Sequence, residues 1–517
     1  MSGFFFLKTY PMKQLALYVL LALSAGIFAQ NAATEKRVEF DLKDGFSNER
    51  VFEFSDKGML IFSKQDKDEN QISTYRFEKY NTDLVSTHEV SYTIENKFYV
   101  DEIYQTGNYV YFFFKTRRTD YRVVKYDFIS ETFKEVSGEL PNRSFIKYTA
   151  CMDDRAVMAI INKNYSLSII SIDMNSGSEQ TTPITLEGFK PKKLSLSNME
   201  TMPESKNILL SINAYISKKR TELYVIRLDE QGQVQASTDI SIGTDNNLRN
   251  ARAYDIGNNE YILSGTYSVP NSSGSNGFFI SRLAQGQLEP IKFYNFTELK
   301  NFLSYLPANQ QRKIEKKKQR KEKNGQELNI SYNIAAHSPI KINDDFIYIG
   351  EAYYATYRTE SRTSTSYVNG KAVTTTTYVQ VFDGYQYTHA FIAKFDKNGN
   401  LIWDQTFPMW LAQKPMTVRR FIHLADQQQN NIKLVYANSN RVTSKVFDFD
   451  GNVLSDKQSE PIETNSENDK TRLSYAEIIH WYDNYFLSYG IQRIINRKDK
   501  DVERKRTVFF FNKIKLD

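Results

Sequence analysis

The chain has 517 residues, of which 40% are hydrophobic and 14% aromatic, enough apolar surface for a large core. Its single cysteine, Cys151, excludes a disulfide within the chain and any zinc site built on cysteine pairs. The formal net charge is +6, and the stretch "RKIEKKKQRKEK" (Arg312 to Lys323), with eight basic and two acidic residues, equals all of it. The basic pI is therefore no evidence for a general nucleic-acid binder.

Residues 1–29 have the pattern of a cleaved export signal. Lys13 precedes the apolar run "QLALYVLLALSAGIFA", and Ala29-Gln30 is a suitable cleavage point. A membrane anchor is the alternative, but the run of about 15 residues is shorter than the roughly 20 that a spanning helix needs. No cysteine follows the run to accept a lipid, and the chain ends on a strand. We predict an exported protein without a transmembrane span, periplasmic rather than extracellular or bound to the cell surface.

From residue 36 onward one unit recurs about eight times. Each unit is predicted as a weak strand, a turn, an apolar strand, a link, a third strand, a Gly-containing turn and a fourth strand. The turns "DEQG", "DKNG" and "DFDG" suit hairpins, because Asp tolerates left-handed geometry and Gly supplies positive φ. Four antiparallel strands at a spacing of about 46 to 56 residues are typical of a propeller blade.

The ends of the repeat predict how the ring closes. The last unit stops after its third strand, "TVFFFNKIKLD", whereas "KRVEFDLKDG" supplies a spare strand ahead of the first unit. Because an open sheet edge invites aggregation, we expect the N-terminal strand to complete the last blade. The predicted fold is all-β: a β-propeller over residues 36–517 with eight four-stranded blades, or seven if one weak unit is not a blade. A row of β-sandwiches is the alternative, but it explains neither the even spacing nor the matching ends.

The stretch "THAFIAKFDKNGNLIWDQTFP" (Thr388 to Pro408) resembles the repeats of bacterial secreted β-propellers, including quinoprotein-type blades that end in a tryptophan such as Trp403. Much of residues 295–410, with "IGEAYY" and "FDGYQYTHAFIAKFDKNG", resembles uncharacterised exported propeller-like proteins of the Bacteroidetes. The resemblance implies a propeller in a Gram-negative envelope. It implies no activity, since the matched Gly and Asp residues form turns.

A first insertion, residues 296–329, is predicted to be helical and basic. Thr297 can cap a helix in which Leu299, Phe302, Leu303 and Leu306 recur at helical spacing, and a basic helix then runs to Lys323 before Asn324-Gly325. It is either a solvated lid, which we favour, or a contact for an acidic glycan, an anionic lipid or an acidic protein. Nucleic acid is disfavoured, because the stretch lacks stacking aromatics. The candidate interaction residues are Arg312, Lys313, Lys316, Lys317, Lys318, Arg320, Lys321 and Lys323.

A second insertion, residues 353–388, is predicted to be a long β-hairpin. Thr, Tyr and Val alternate on both sides of Asn369-Gly370, which favours a type I′ turn. Its tyrosine and threonine rows need either burial over the ring or a partner strand. We expect the ribbon to pack on the ring, because exposed apolar patches are usually avoided.

The sequence contains no recognisable catalytic, cofactor or metal motif. The five histidines, at positions 88, 337, 389, 423 and 480, have no paired metal spacing. "DKNGN" (Asp396 to Asn400) resembles a calcium loop, but its Gly falls at the fourth position instead of the sixth, which favours a hairpin turn. We therefore assign no catalytic, cofactor or metal residue and expect no cofactor.

Two functions fit this pattern. The favoured one is a non-enzymatic interaction module that binds a protein or an acidic glycan of the cell envelope. The alternative is a hydrolase or lyase that acts on a polysaccharide at the central channel. This alternative predicts carboxylates that meet an Arg or a Tyr at one mouth of the channel, with at least one perturbed pKa.

Overall fold

The computed structural model describes residues 32–42, 45–425 and 431–516. The predicted export signal at residues 1–29 lies outside the described residues. Within them the chain forms 35 strands, β1 to β35, a short 3-10 turn at Pro191–Lys193 and one α-helix, α1 (Ala308–Lys323). The strands make up eight sheets, each an antiparallel blade, as the repeat predicted.

The first four blades follow β1 (Ala32–Asp41) along the chain. Blade one consists of β2 (Phe46–Glu53), β3 (Met59–Gln65), β4 (Ile72–Tyr80) and β5 (Ser86–Glu95). Blade two consists of β6 (Tyr99–Thr106), β7 (Tyr109–Lys115), β8 (Asp120–Asp127) and β9 (Thr132–Glu139). Blade three consists of β10 (Phe145–Met152), β11 (Arg155–Ile161), β12 (Leu167–Asp173) and β13 (Glu179–Ile184). Blade four consists of β14 (Leu194–Met202), β15 (Asn207–Ser217), β16 (Arg220–Asp229) and β17 (Val234–Asp239).

The other four blades contain the insertions and the closure. In blade five the first and the fourth strand positions are each divided into two short strands. The blade consists of β18 (Asn247–Leu248), β19 (Arg252–Gly257), β20 (Glu260–Ser268), β21 (Gly277–Ala284), β22 (Gln287–Leu288) and β23 (Lys292–Asn295). Blade six consists of β24 (Asn333–Ala336), β25 (Ile340–Ile342), β26 (Asp345–Val368), β27 (Lys371–Phe395) and β28 (Leu401–Pro408). Blade seven consists of β29 (His423–Leu424), β30 (Asn431–Asn438), β31 (Arg441–Asp448) and β32 (Val453–Pro461). Blade eight begins with β33 (Asp469–Tyr482), β34 (Tyr485–Asn496) and β35 (Lys505–Leu516).

The N-terminal strand completes blade eight. Its sheet has the order β1-β35-β34-β33, and β1 runs antiparallel to β35 from Ala32↔Leu516 to Asp41↔Val508. The spare strand thus supplies the missing fourth position and covers the edge that β35 would otherwise expose. This confirms both the eight-bladed ring and its predicted closure.

The apolar core lies between neighbouring blades, in eight clusters that run around the ring. The strand "YVYFFFK" explains how one blade serves two of them: Phe112 packs in the cluster shared with blade one, and Phe113 packs in the cluster shared with blade three. Successive strand residues point to opposite faces of a sheet, so both faces are buried and the strand is continuously apolar. The last cluster joins Trp481 of blade eight to Met59 of blade one and completes the circle.

Short polar turns connect the third and fourth strands of the blades. Asp396 Oδ1 accepts hydrogen bonds from the backbone N–H groups of Asn398 (2.9 Å) and Asn400 (2.8 Å), and Gly399 has a φ of +76°. Asp448 Oδ1 accepts equivalent bonds from Asp450 (2.9 Å) and Asn452 (2.8 Å). "DKNGN" therefore forms the hairpin turn that its spacing predicted.

The first strand of each blade lies innermost, around the central channel: β10 contacts β6 and β14, and β33 contacts β29 and β2. In a four-stranded antiparallel unit, the hairpin between the second and third strands and the link to the next blade leave from the same end. Both insertions use these connections, since one follows β23 and the other joins β26 to β27. They therefore lie on the same face of the ring, which we call the insertion face.

Candidate functional site

The helix α1 is the most strongly charged element of the insertion face. It spans Ala308–Lys323, contains all eight candidate interaction residues and buries none of its side chains. The four positions that are half-buried, 311, 314, 318 and 321, recur at helical spacing and form the side turned toward the protein. Lys318 extends along that side, where its Nζ donates a hydrogen bond to the carbonyl oxygen of Thr297 (2.8 Å).

Apart from Lys318 and Lys321, the basic side chains of α1 form one stripe. Arg312, Lys313, Lys316, Lys317, Arg320 and Lys323 are all exposed. At roughly 100° per residue they cover an arc of about 140°, and the rise of the helix spreads them over about 16 Å. Glu315 and Glu322 fall outside this arc. Among the described residues no acidic side chain forms an ion pair with any of the six, so we name them the basic stripe.

The segment before α1 is not the helix that its spacing predicted. Residues 296–306 form a series of turns. The carboxylate of Asp404 accepts hydrogen bonds from the backbone N–H groups of Lys300 (2.9 Å) and Asn301 (2.6 Å), which fixes the turns. Phe296 and Phe302 stack on each other with ring centroids 4.4 Å apart, inside the core between blades five and six. Tertiary packing therefore outweighs the helical spacing and anchors α1 to the ring.

The second insertion is the long β-hairpin that its sequence predicted. The strands β26 and β27 pair up to Val368↔Lys371, and Asn369 and Gly370 have φ values of +51° and +77°, as a type I′ turn requires. The expectation that the ribbon packs on the ring is wrong for its outer part. Tyr357, Tyr367 and Tyr378 are 61%, 76% and 73% exposed.

Within the described residues, the contacts that fix the ribbon to the ring lie at its base. The backbone N–H of Tyr385 donates to the carbonyl oxygen of Pro415 (2.9 Å), and Lys414 Nζ lies 2.8 Å from Asp383 Oδ2. Gly384 has a φ of +92°, and a Cβ at that position would lie 2.6 Å from the carbonyl oxygen of Lys414. The ribbon therefore leaves the ring beside the loop 409–422, which links blade six to blade seven.

The central channel contains a belt of polar side chains that joins adjacent and non-adjacent blades. Glu200 of blade four forms an ion pair with Arg252 of blade five and accepts a hydrogen bond from Ser338 Oγ of blade six (2.7 Å). Tyr104 of blade two lies 3.0 Å, oxygen to oxygen, from the hydroxyl of Thr201 of blade four. These contacts join strands that lie up to 138 residues apart in sequence.

Each carboxylate of this belt already has its partners. Glu351 Oε1 accepts from the backbone N–H groups of Phe421 and Ile422, both at 2.9 Å, and lies 2.7 Å from His337 Nε2. Saturated carboxylates of this kind fix the blades relative to one another and leave little capacity for proton transfer.

A third carboxylate, Glu477 of β33, has the same character. It lies 2.7 Å from Arg419 Nη1 and accepts a hydrogen bond from Tyr489 (2.9 Å). Burial would raise the pKa of Glu477, but hydrogen bonds from Arg419 and Tyr475 outweigh it and hold the pKa below its ordinary value. Glu477 is therefore ionised near neutral pH and unsuited to act as a general acid.

Several cationic groups of the channel have lowered pKa values. Burial, with repulsion from Arg252, lowers the pKa of Arg420 to about 10. Burial, with His337 and His480 nearby, lowers the pKa of His423 to about 4. Outside the channel, beside the core between blades five and six, burial against Tyr305 and Phe302 lowers the pKa of His389 to about 3. These histidines are neutral near pH 7 and serve as packing groups.

No local sequence pattern indicated the belt. Several of its members come from the weak first strands or the links just before them, in "ETMPES", "ARAYDI" and "RRFIHL", where charged residues interrupt apolar ones, whereas Glu351 lies on a second strand. Charged residues in the innermost strand of a predicted propeller are the signal that could have located the channel. Among the described residues no group of three or more His, Cys, Asp or Glu side chains could hold a metal ion.

The ring, the channel and the insertion face together define an eight-bladed β-propeller. No family model matches the chain, and no curated protein matches it. No helix within the described ranges is both long and apolar enough to cross a membrane.

Several solved structures have some similarity to the chain, among them the following three. The polysaccharide lyase Uly1 has 11% identity and a TM-score of 0.38, with 81% of this chain and 90% of that chain covered. The WD40 domain of SCAP from fission yeast has 7% identity and a TM-score of 0.39, with 94% and 98% covered. The β-propeller domain of the Trilobed protease from Pyrococcus furiosus has 9% identity and a TM-score of 0.34, with 79% and 98% covered. At such TM-scores these similarities support no transfer of activity.

Proposed function

We propose that the protein is an exported, non-enzymatic docking module that binds an acidic protein or acidic glycan of the cell envelope through the insertion face. The observation that carries this proposal is the basic stripe of α1: six exposed cations on one side of a helix without an acidic partner among the described residues. Because α1 is anchored by buried turns, the stripe is presented in a fixed orientation.

The electrostatics of the stripe favour a partner with several negative charges. A single exposed ion pair stabilises a complex by about 0–1 kcal/mol, but several cations within about 16 Å attract a polyanion together. Such binding weakens as salt is added, because the screening length falls to about 10 Å at 0.1 M. The exposed ribbon, which leaves from the same face of the ring, offers the partner a second contact through the free edges of β26 and β27.

The location is part of the same proposal. The segment 1–29 has the order of charged, apolar and small residues that directs export. We propose cleavage after Ala29 and a periplasmic position for the ring.

The alternative function is a hydrolase or lyase acting on a polysaccharide in the channel. It is supported by the proximity of Glu200, Arg252 and Arg420 in the channel. Burial lowers the pKa of Arg420 to about 10. The alternative is weakened by the engagement of the channel carboxylates described above, because a cleavage reaction needs an acid or base that is free to exchange a proton with the substrate. Docking is therefore the function that the geometry supports best.

The test is a crosslinking pull-down from native envelopes with intact protein and a charge-reversed variant. The variant Lys313→Glu/Lys317→Glu/Arg320→Glu keeps α1 and reverses the stripe, whereas deletion of residues 296–329 would remove Phe296 and Phe302 from the core. The matched control reverses three exposed lysines elsewhere, at positions 190, 192 and 218.

We expect the intact protein and the control to capture the same partner and the stripe variant to lose it. Capture should fall as salt rises. Digestion of the captured material with protease or with glycan-degrading enzymes then distinguishes an acidic protein from an acidic glycan. Equal capture by the stripe variant would remove α1 from the proposed function.

A further inference from the structure

A groove on the insertion face is independent of the basic stripe. It has a volume of about 750 Å³ and lies between the loop 409–422 and the outer surface of blade eight. Three paired strands of blade eight form its floor. Leu473 of β33 lies opposite Arg493 of β34, and Arg493 lies opposite Thr507 of β35. In the next row Tyr475 lies opposite Ile491, so these side chains share one face of the sheet.

The loop forms the opposite wall and is held in place by hydrogen bonds. Gln413 Nε2 donates to the carbonyl oxygen of Ser474 (3.2 Å), and Arg419 Nη1 donates to the hydroxyl of Tyr475 (2.9 Å). Pro415, Met416 and Phe421 add apolar surface to this wall. The groove is therefore a preformed site between a sheet and an anchored loop.

The lining is both exposed and apolar. Leu473 and Met416 are 64% and 63% exposed, and Tyr475 and Ile491 are exposed as well. Apolar side chains concentrated around one concave site mark a binding surface more often than single exposed apolar residues do. The volume lies within the roughly 300–1,000 Å³ of small-molecule sites, which favours a compact ligand over a flat protein interface.

The charges at the groove determine the sign of the ligand. Arg419 is neutralised by Glu477, and Lys414 is neutralised by Asp383. Arg493 is exposed in the middle of the floor, and none of the acidic side chains in the described part of the chain pairs with it. An open guanidinium beside apolar side chains suits an anionic group attached to an apolar body.

We propose that this groove binds a single-chain anionic amphiphile, with the apolar chain against Leu473, Ile491 and Met416 and the anionic group on Arg493. A fatty carboxylate has this chemistry. Ligand binding in the groove does not involve the basic stripe. The proposal is therefore independent of the proposed docking function.

Isothermal titration calorimetry with decanoate, below its micellar concentration, tests the proposal. We expect saturable binding of one decanoate per chain and at least tenfold weaker binding of decyltrimethylammonium, which reverses only the head-group charge. Arg493→Gln should weaken decanoate binding about tenfold, because a hydrogen bond between a guanidinium and a carboxylate is stronger than one between a neutral amide and a carboxylate. Leu473→Asn should weaken it comparably by removing apolar contact.

Two matched controls isolate the groove. Arg497→Gln removes the same charge just beyond β34, and Ile129→Asn removes an exposed apolar side chain of blade two. Both controls and the stripe variant of α1 should bind decanoate as the intact protein does, with unchanged thermal unfolding. The proposal is overturned if decanoate does not bind saturably, if decyltrimethylammonium binds equally well, or if both groove variants retain full affinity.

Discussion

Blade eight and blade six start from the same four-stranded unit and use their additional length in opposite ways. Blade eight joins β1 to β35 and packs the half-buried side chains of β1, among them Val38 and Phe40, against the core cluster shared with blade one. Blade six extends β26 and β27 to 24 and 25 residues and exposes most of what it adds. The comparison indicates that an added strand stabilises the ring when it pairs with another part of the blade. An extension that pairs only with itself adds little to the core.

The polar contacts of the two blades differ in the same sense. In blade eight the guanidinium of Arg506 lies 3.2 Å from Glu39 of β1 and 2.6 Å from Asp469 of β33, and all three side chains are nearly buried. In the ribbon Arg358 and Glu360 form an exposed pair. A buried pair is costly to break, whereas an exposed pair contributes little.

Removal of β1 should have the largest effect. A protein that begins after residue 42 leaves the edge of β35 open and removes Phe40 from its contacts with Phe511 and Tyr80. We expect the free energy of unfolding to fall by more than about 5 kcal/mol, which is comparable with the whole stability of many domains. We also expect aggregation through the open edge of β35. Thermal unfolding and light scattering measure both effects.

The control for this truncation begins at residue 32, keeps β1 and should unfold like the full chain. If the protein without β1 stayed monomeric with an unchanged unfolding temperature, closure by β1 would contribute nothing to the ring.

Asp469→Asn should have the next largest effect. The substitution removes one of the charge partners of the nearly buried Arg506. We therefore expect the free energy of unfolding to fall by about 3 kcal/mol at pH 7. Burial alone would raise the pKa of Asp469, but hydrogen bonds from Arg506 and Asn496 outweigh it and lower the pKa. The stability that this carboxylate contributes is therefore present above its unfolded pKa of about 3.9 and is lost as the pH falls through the lowered folded value.

Urea unfolding at pH 7 and at pH 3 measures this contribution. The difference between the intact protein and Asp469→Asn should shrink at pH 3, whereas the exposed control Asp501→Asn should have no effect at either pH. A difference that is as large at pH 3 as at pH 7 would contradict an electrostatic origin.

Shortening the ribbon should have the smallest effect. Arg358 and Val381 lie opposite each other in the register, so residues 359–380 can be replaced by a two-residue Asn-Gly turn. We expect the free energy of unfolding to change by less than about 1 kcal/mol, because the removed residues are mostly exposed. Chemical unfolding provides the measurement.

A substitution at the base of the ribbon sharpens this comparison. Gly384→Ala adds one methyl group where φ is +92° and the carbonyl oxygen of Lys414 is too close. We expect Gly384→Ala to lower the free energy of unfolding by about 2 kcal/mol, a larger change than removal of the 22 residues 359–380. The reverse order would mean that the outer ribbon packs on the ring after all.

The number of blades was predictable because its signals are local, and the ring closure was predictable because a spare strand precedes the first unit and a strand is missing from the last. Turns such as Asp396 to Asn400 and continuous apolar runs such as "YVYFFFK" follow from neighbouring residues alone. The ribbon turn at Asn369-Gly370 was predictable for the same reason.

The parts that sequence reasoning missed depend on distant residues. The turns at 296–306 replace a helix because Asp404, about 100 residues later, binds their backbone N–H groups. The belt at Glu200 needs Ser338, and the groove needs the loop 409–422 to meet blade eight. No local pattern records such encounters.

The pairing of β1 with β35 also sets the order of events during synthesis. The first strand leaves the ribosome before the 463 residues that separate it from its partner, so it must wait without a sheet until β35 arrives. A polypeptide interrupted anywhere before β35 leaves this strand unpaired and recognisable to quality-control proteases. Closure of the ring therefore requires a polypeptide that extends through β35.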